Sequence, residues 1–254
     1  MVISKTYSTI AAIWLLGLAA GSQVWAQENG GELDSFNRSL GLEGMGTDLA
    51  NAENELAHSN TPSAPEAPKK AGPGPKKAPV KREESFSNLS FHPSPAVTNS
   101  VRAYYVSRTN SAAFAGMPSY DALVSRFDER FSNYGFSRHN IGDTVAGYLI
   151  ISWEILHNAN ASNTPKGIRR VREAISQVIE RRGKAANLSD ENKQKFSELF
   201  KSLAELVSEQ SKQFRQANNQ AAEAQLMNQV AQPPLKLGID LRKLRLTDQG
   251  FVNG

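Results

Sequence analysis

Six prolines fall between Thr61 and Pro79 (Pro62, Pro65, Pro68, Pro73, Pro75 and Pro79), spaced mostly by Ala, Lys and Gly and with no aromatic residue among them. Each proline removes a backbone donor and holds φ near the polyproline value, so neither a helix interior nor a sheet ladder can run through such a stretch. Residues 61–85 therefore read as a Pro/Ala/Lys-rich linker. It separates an N-terminal arm from a unit of about 86–254, which is long enough to close over one hydrophobic core.

Charge divides at the same place. Residues 27–66 carry eight acids against Arg38 alone, whereas residues 67–82 carry six bases and no acid. The formal total of +4 conceals these two opposed blocks. Single-sign blocks mark solvated tails, so 27–60 reads as a largely disordered acidic arm. Asp48 to Ala57 has some helical character, but too few large apolar residues surround it for independent stability. The sign pattern also raises the hypothesis that the acidic arm folds back onto the basic linker or a basic helix.

Residues 1–26 have the layout of a secretory signal peptide. Lys5 gives the positive start, Ile10 to Ala20 the apolar stretch, and Val24-Trp25-Ala26 the small or aliphatic residues at −3 and −1. Cleavage is expected between Ala26 and Gln27. The apolar stretch of 11 residues is short of the ~20 that a spanning helix needs. The expectation is an exported protein, periplasmic or secreted, with no transmembrane span in the mature chain. The chain has no cysteine, which excludes a disulfide framework, a thiol nucleophile and the acylated cysteine of a lipoprotein.

Beyond the linker the apolar residues recur with period 3.6 and no alternating strand stands out. The first helix follows Pro95, with Val97, Val101, Tyr104 and Tyr105 on one face. Ser119 caps a second, whose stripe is Tyr120, Leu123, Val124, Phe127 and Phe131, and Gly135 supplies a left-handed end. A third, from about Asn140 to Asn158, has apolar residues around most of its circumference and is expected to be the most buried. A fourth starts at Thr164-Pro165 with Ile168, Val171, Ile175, Val178 and Ile179 inward, and a fifth starts at Ser189. A weaker sixth covers about Ala217 to Val230 and is expected to stop before Pro233-Pro234, after which a leucine-rich tail packs back. The fold class is all-α, a bundle of five or six helices preceded by a signal peptide and a largely disordered arm.

Three motifs occur in order: Phe91-His92-Pro93-Ser94-Pro95 before a helix, Tyr134-Gly135-Phe136 before the helix containing Trp153, and Leu246-Thr247-Asp248-Gln249-Gly250-Phe251 near the end. In this, residues 90–254 resemble an uncharacterised family of exported bacterial proteins, classed only as a domain of unknown function. The resemblance implies a Gram-negative envelope setting and supplies no catalytic residue.

Asp143, Glu154 and His157 project to one side of the third helix, within about 60° of one another, and Glu154 and His157 have the Glu-x-x-His spacing of carboxylate-bridged metal bundles. However, Asp143 and Glu154 stand about 16 Å apart along the axis, and no second Glu-x-x-His helix exists. The set reads as a polar helix face with one i,i+3 pair. His139 reads as part of the helix cap with Asn140 and Asp143. His92 lies between Phe91 and Pro93 in an entry turn and His58 lies in the arm, and neither a nucleophile elbow nor a phosphate loop occurs. No catalytic, metal or cofactor residue is assigned, and no cofactor is expected.

Charge gives the better candidate. Residues 166–184 hold seven bases against Glu173 and Glu180, and Lys166, Arg170, Arg181 and Lys184 project within about 60° of one another, opposite Ile168, Val171 and Ile175. Such a strip suits an anionic partner: a lipid headgroup, a wall polymer or an acidic protein. The absence of interleaved aromatics disfavours nucleic acid. The expected role is a non-enzymatic module that binds a protein or an anionic envelope component. The alternatives are a periplasmic enzyme with a site assembled between helices and a structural envelope oligomer.

Overall fold

The computed structural model describes residues 86–109 and 116–254, with Met45, Thr47, Asp48 and Asn51 upstream. The expected signal peptide with its Ala26–Gln27 cleavage point, the linker at 61–85 and His58 lie outside the described residues. Six α-helices span residues 95–236: α1 (Pro95–Thr109), α2 (Tyr120–Phe131), α3 (Ile141–His157), α4 (Pro165–Arg182), α5 (Asp190–Gln216) and α6 (Gln220–Lys236). They form an all-α bundle, as the periodicity predicts.

The capping residues set most boundaries. Ser119, Asn140, Ser189 and Asn219 each accept a backbone N–H of the first turn of α2, α3, α5 and α6. Pro165 opens α4, but Thr164 makes no side-chain cap bond there. Asn158 (φ 47°) and Gly183 (φ 71°) take the left-handed conformation that ends α3 and α4.

The long α5, about 40 Å by its 27 residues, is the spine, packing on α1, α2, α3 and α6. α3 lies between α4, α5 and α6, and every residue from Ile141 to Ile155 is buried. On another side Gly147 admits the Phe127 ring of α2, since a Cβ there would lie 2.4 Å from its Cζ. A smaller apolar cluster (Val97, Val101, Tyr105, Tyr120, Leu123, Leu206) joins α1 and α2 to α5. Beside it Thr98, Tyr120 and Gln194 all donate to the Glu198 carboxylate, at 2.6–2.8 Å.

Three expectations need correction. First, the chain does contain strands. β1 (Leu244–Thr247) and β2 (Gly250–Asn253) form an antiparallel hairpin with Leu246 opposite Phe251, laid against α4. Four residues are too few for alternation to be distinguished from a leucine-rich tail. Second, α6 does not stop before Pro233-Pro234 but runs through both to Lys236. The prolines remove the two helical bonds that would end on the Gln229 and Val230 carbonyls, and because they stand in the last turn the helix ends just beyond them. Third, Met45, assigned to the acidic arm, is fully buried in the main core. The hairpin is secured by Trp153, whose Nε1–H donates to the Leu244 carbonyl at 2.9 Å and whose ring lies 6.3 Å from that of Phe251.

Candidate functional site

The basic helix α4 departs from a simple amphipathic pattern. Ile168, Val171, Ile175, Val178 and Ile179 point inward as expected, but Gly167, Ala174 and Ser176 are buried too, because α3 and the hairpin cover the helix from two sides. The predicted strip is thereby divided. Lys166 is exposed near the N-terminal end, 3.6 Å from Asp248 of the hairpin turn, and Arg169 is exposed beside it. Arg170 is half-buried and donates to Glu173 at 3.0 Å. Arg181 is exposed at the far end. Lys184 is exposed but lies past Gly183, outside the helix, so the 100° projection does not place it.

The other bases of α4 serve the fold. The Arg172 Nε and Nη2 grip Asp143 at 2.6 and 3.2 Å, and the same carboxylate accepts the Ser137 N–H at 2.6 Å. The guanidinium carbon also lies 5.8 Å from the centre of the Phe136 ring. Burial pushes the Asp143 carboxyl up from its ordinary value, and Arg172 opposes that shift.

Of the three α3 groups, Asp143 and Glu154 are buried and His157 is exposed at the end of the helix, and each has its own partners. The Glu154 carboxylate accepts from Arg130 Nη2 at 2.8 Å and from the Ala161 N–H at 2.7 Å. Arg130 reaches Glu205 with its other nitrogen at 2.9 Å, so one guanidinium holds two buried carboxylates. Burial raises the Glu154 carboxyl above its usual range, with Arg130 pulling against it. His157 Nε2 lies 2.8 Å from the Leu241 carbonyl, and its ring stacks on Trp153. Among the described residues no three His, Asp or Glu side chains gather as a metal-holding group.

The remaining histidines also have structural partners. The His139 carbonyl accepts the Phe91 N–H at 3.0 Å and its ring lies against Phe91, while Asn140 performs the capping. His92 does have an acid partner. Asp190, from the first turn of α5, accepts both its N–H and its ring nitrogen at 3.0 Å. That partner lies 98 residues away, so sequence reach could not reveal it.

Sequence reasoning also missed two buried lysines of α5. Lys201 Nζ donates to Asp128 and to the Arg138 carbonyl at 2.6 and 2.7 Å, and Lys193 Nζ donates to the Asn88 carbonyl at 2.7 Å. Both fall within an otherwise charge-rich helix, where nothing local separates a tertiary anchor from a solvated base. Among the described residues no helix is long and apolar enough to cross a membrane.

These features define a class: an all-α bundle closed by a C-terminal hairpin, with its inward charges tied in pairs and several bases left at the surface of one helix. The chain belongs to a family of unknown function (DUF6683), whose profile matches residues 45–253. No curated protein and no solved structure matches it.

Proposed function

We propose that the protein is an exported, non-enzymatic helical module that binds an anionic component of the cell envelope through the bases at the two ends of α4. The observation that carries this reading is an asymmetry of exposure. Lys166, Arg169, Arg181 and Lys184 are exposed, while the acids of α4, Glu173 and Glu180, are half-buried and the carboxylates of Asp143, Glu154 and Glu205 are buried. A partner that approaches α4 from solvent therefore meets more positive than negative charge. The two ends lie about 22 Å apart, from Lys166 to Arg181, which suits a surface or a polymer better than a small ion. Export rests on the layout of residues 1–26.

The test is sedimentation of the mature protein with vesicles of phosphatidylglycerol or of phosphatidylcholine. Each base near an anionic surface contributes about 1 kcal/mol. Reversing four (Lys166→Glu, Arg169→Glu, Arg181→Glu, Lys184→Glu) is expected to weaken binding to the anionic vesicles at least tenfold. Raising salt should weaken the parent protein in the same direction. Equal binding by the reversed and parent proteins, or equal binding to both lipids, would sink the proposal.

A further inference from the structure

The chain has no cysteine and four methionines, so oxidative chemistry on sulfur can act only at Met1, Met45, Met117 and Met227. Met45 is fully buried, while Met117 and Met227 are half-buried. The surroundings of these two differ. Met227 packs against the main core, whereas Met117 packs both against the main core and against the smaller cluster that joins α1 and α2 to α5. The Met117 sulfur is also met by a hydrogen-bond donor, since Gln213 Nε2 of α5 donates to Sδ at 3.9 Å. The residues that follow fix the start of α2. The Pro118 carbonyl accepts the Tyr105 hydroxyl of α1 at 3.1 Å, and Ser119 caps α2. Met117 is thus a wedge between two apolar clusters, at the point where α1, α2 and α5 meet.

We propose that Met117 is a reversible oxidation site for a small peroxide, and that its sulfoxide loosens α1 and α2 from α5. In the step the thioether sulfur attacks one peroxide oxygen and the O–O bond breaks. The departing hydroxide removes the proton from the transferred oxygen, which leaves a sulfoxide and one water. Sulfur gives up two electrons and the peroxide accepts them. A thioether is a weak acceptor and a sulfoxide oxygen a strong one, and the Gln213 amide already stands beside the sulfur to donate to it. The S–O dipole develops during the attack, so the same donor speeds the step at Met117 relative to Met227. The new oxygen also sets a polar group among packed apolar side chains, and one hydrogen bond satisfies only part of it. Two thiols reverse the change through a methionine sulfoxide reductase, ending as a disulfide and releasing the oxygen as water. The inference uses none of the α4 bases and stands apart from the anion-binding reading.

Treatment of the protein with hydrogen peroxide, followed by proteolysis and mass spectrometry, reads the gain of one oxygen at each methionine. Met117 is expected to react about threefold faster than Met227 or more, with Met45 slowest. Gln213→Leu, which removes the donor, should bring Met117 down to the Met227 rate. In the oxidised parent the amides of α1 and α2 should exchange with deuterium about tenfold faster, with those of α4 unchanged. Methionine sulfoxide reductase with dithiothreitol should restore the original rates. Met117→Leu keeps a side chain of similar volume, so it should fold and show no such change after the same treatment. A Met117 that reacts no faster than Met227, or as fast without Gln213, would overturn the site. Unchanged exchange in α1 and α2, or an equal rise in α4, would overturn the loosening. Rates that the reductase does not restore would overturn reversibility.

Discussion

Arg172→Met is expected to cost about 3–5 kcal/mol of stability, because it leaves the Asp143 carboxylate in the bundle without its counter-charge. Asp143 is almost fully enclosed (side chain 2 % exposed), and beside Arg172 its carboxylate accepts the Ser137 N–H. One N–H bond does not replace a two-pronged guanidinium at 2.6 and 3.2 Å. Urea unfolding monitored by circular dichroism gives the loss directly. The double variant Asp143→Asn, Arg172→Met removes both charges and keeps an acceptor for Ser137, so it should recover most of the stability. A single variant no less stable than the double one would show that the pair is not what holds this region.

The pH dependence follows from the same site. Burial raises the folded-state pKa of Asp143 above its unfolded value, so the folded chain binds the proton first as pH falls. The contribution of this group to stability is therefore gained on acidification through the folded pKa and lost as pH rises through it. Without Arg172 the folded pKa goes higher still, since its strongest opposing influence is gone. The single variant should accordingly narrow its deficit as pH is lowered from neutrality. An unchanged deficit on acidification would contradict the assignment.

Local rules made the helices legible and left the tertiary pairs hidden. The 3.6-residue period, the Ser and Asn caps and the proline at the start of α4 are all encoded within a few residues of where they act. Arg172 and Asp143 are 29 residues apart, and Arg130 meets Glu154 and Glu205 across 24 and 75. Nothing in a helical projection identifies such partners. A projection that groups Asp143, Glu154 and His157 carries no information about what covers each of them: the first two are buried and the third is exposed. The arm poses the reverse difficulty. Leu42, Met45 and Leu49 do fall at helical spacing, but among glycines and acids so short a stripe does not separate a core contact from a solvated segment, and Met45 is buried in the main core.

Gly167→Ala, a single added methyl group, is expected to cost about 3 kcal/mol or more, at or beyond the upper end for overpacking. A Cβ at this position would lie 2.1 Å from the Thr247 carbonyl oxygen and 3.1 Å from its carbon. Both are backbone atoms of β1, so no side-chain rotation relieves the contact. The hairpin would have to lift from α4, disturbing the Trp153–Leu244 hydrogen bond, the burial of Phe251 and the approach of Lys166 to Asp248. Gly183→Ala provides the comparison. It introduces a side chain at φ 71° with nothing within 4 Å, so it carries only the left-handed backbone penalty of about 1–2 kcal/mol. Thermal unfolding of the two variants separates steric lifting from backbone strain. Trp153 fluorescence should shift to the red in the Gly167→Ala protein alone, as its ring loses the cover of the hairpin. If the Gly167→Ala loss is no larger than that of Gly183→Ala, the hairpin does not lie on α4 as closely as the geometry requires.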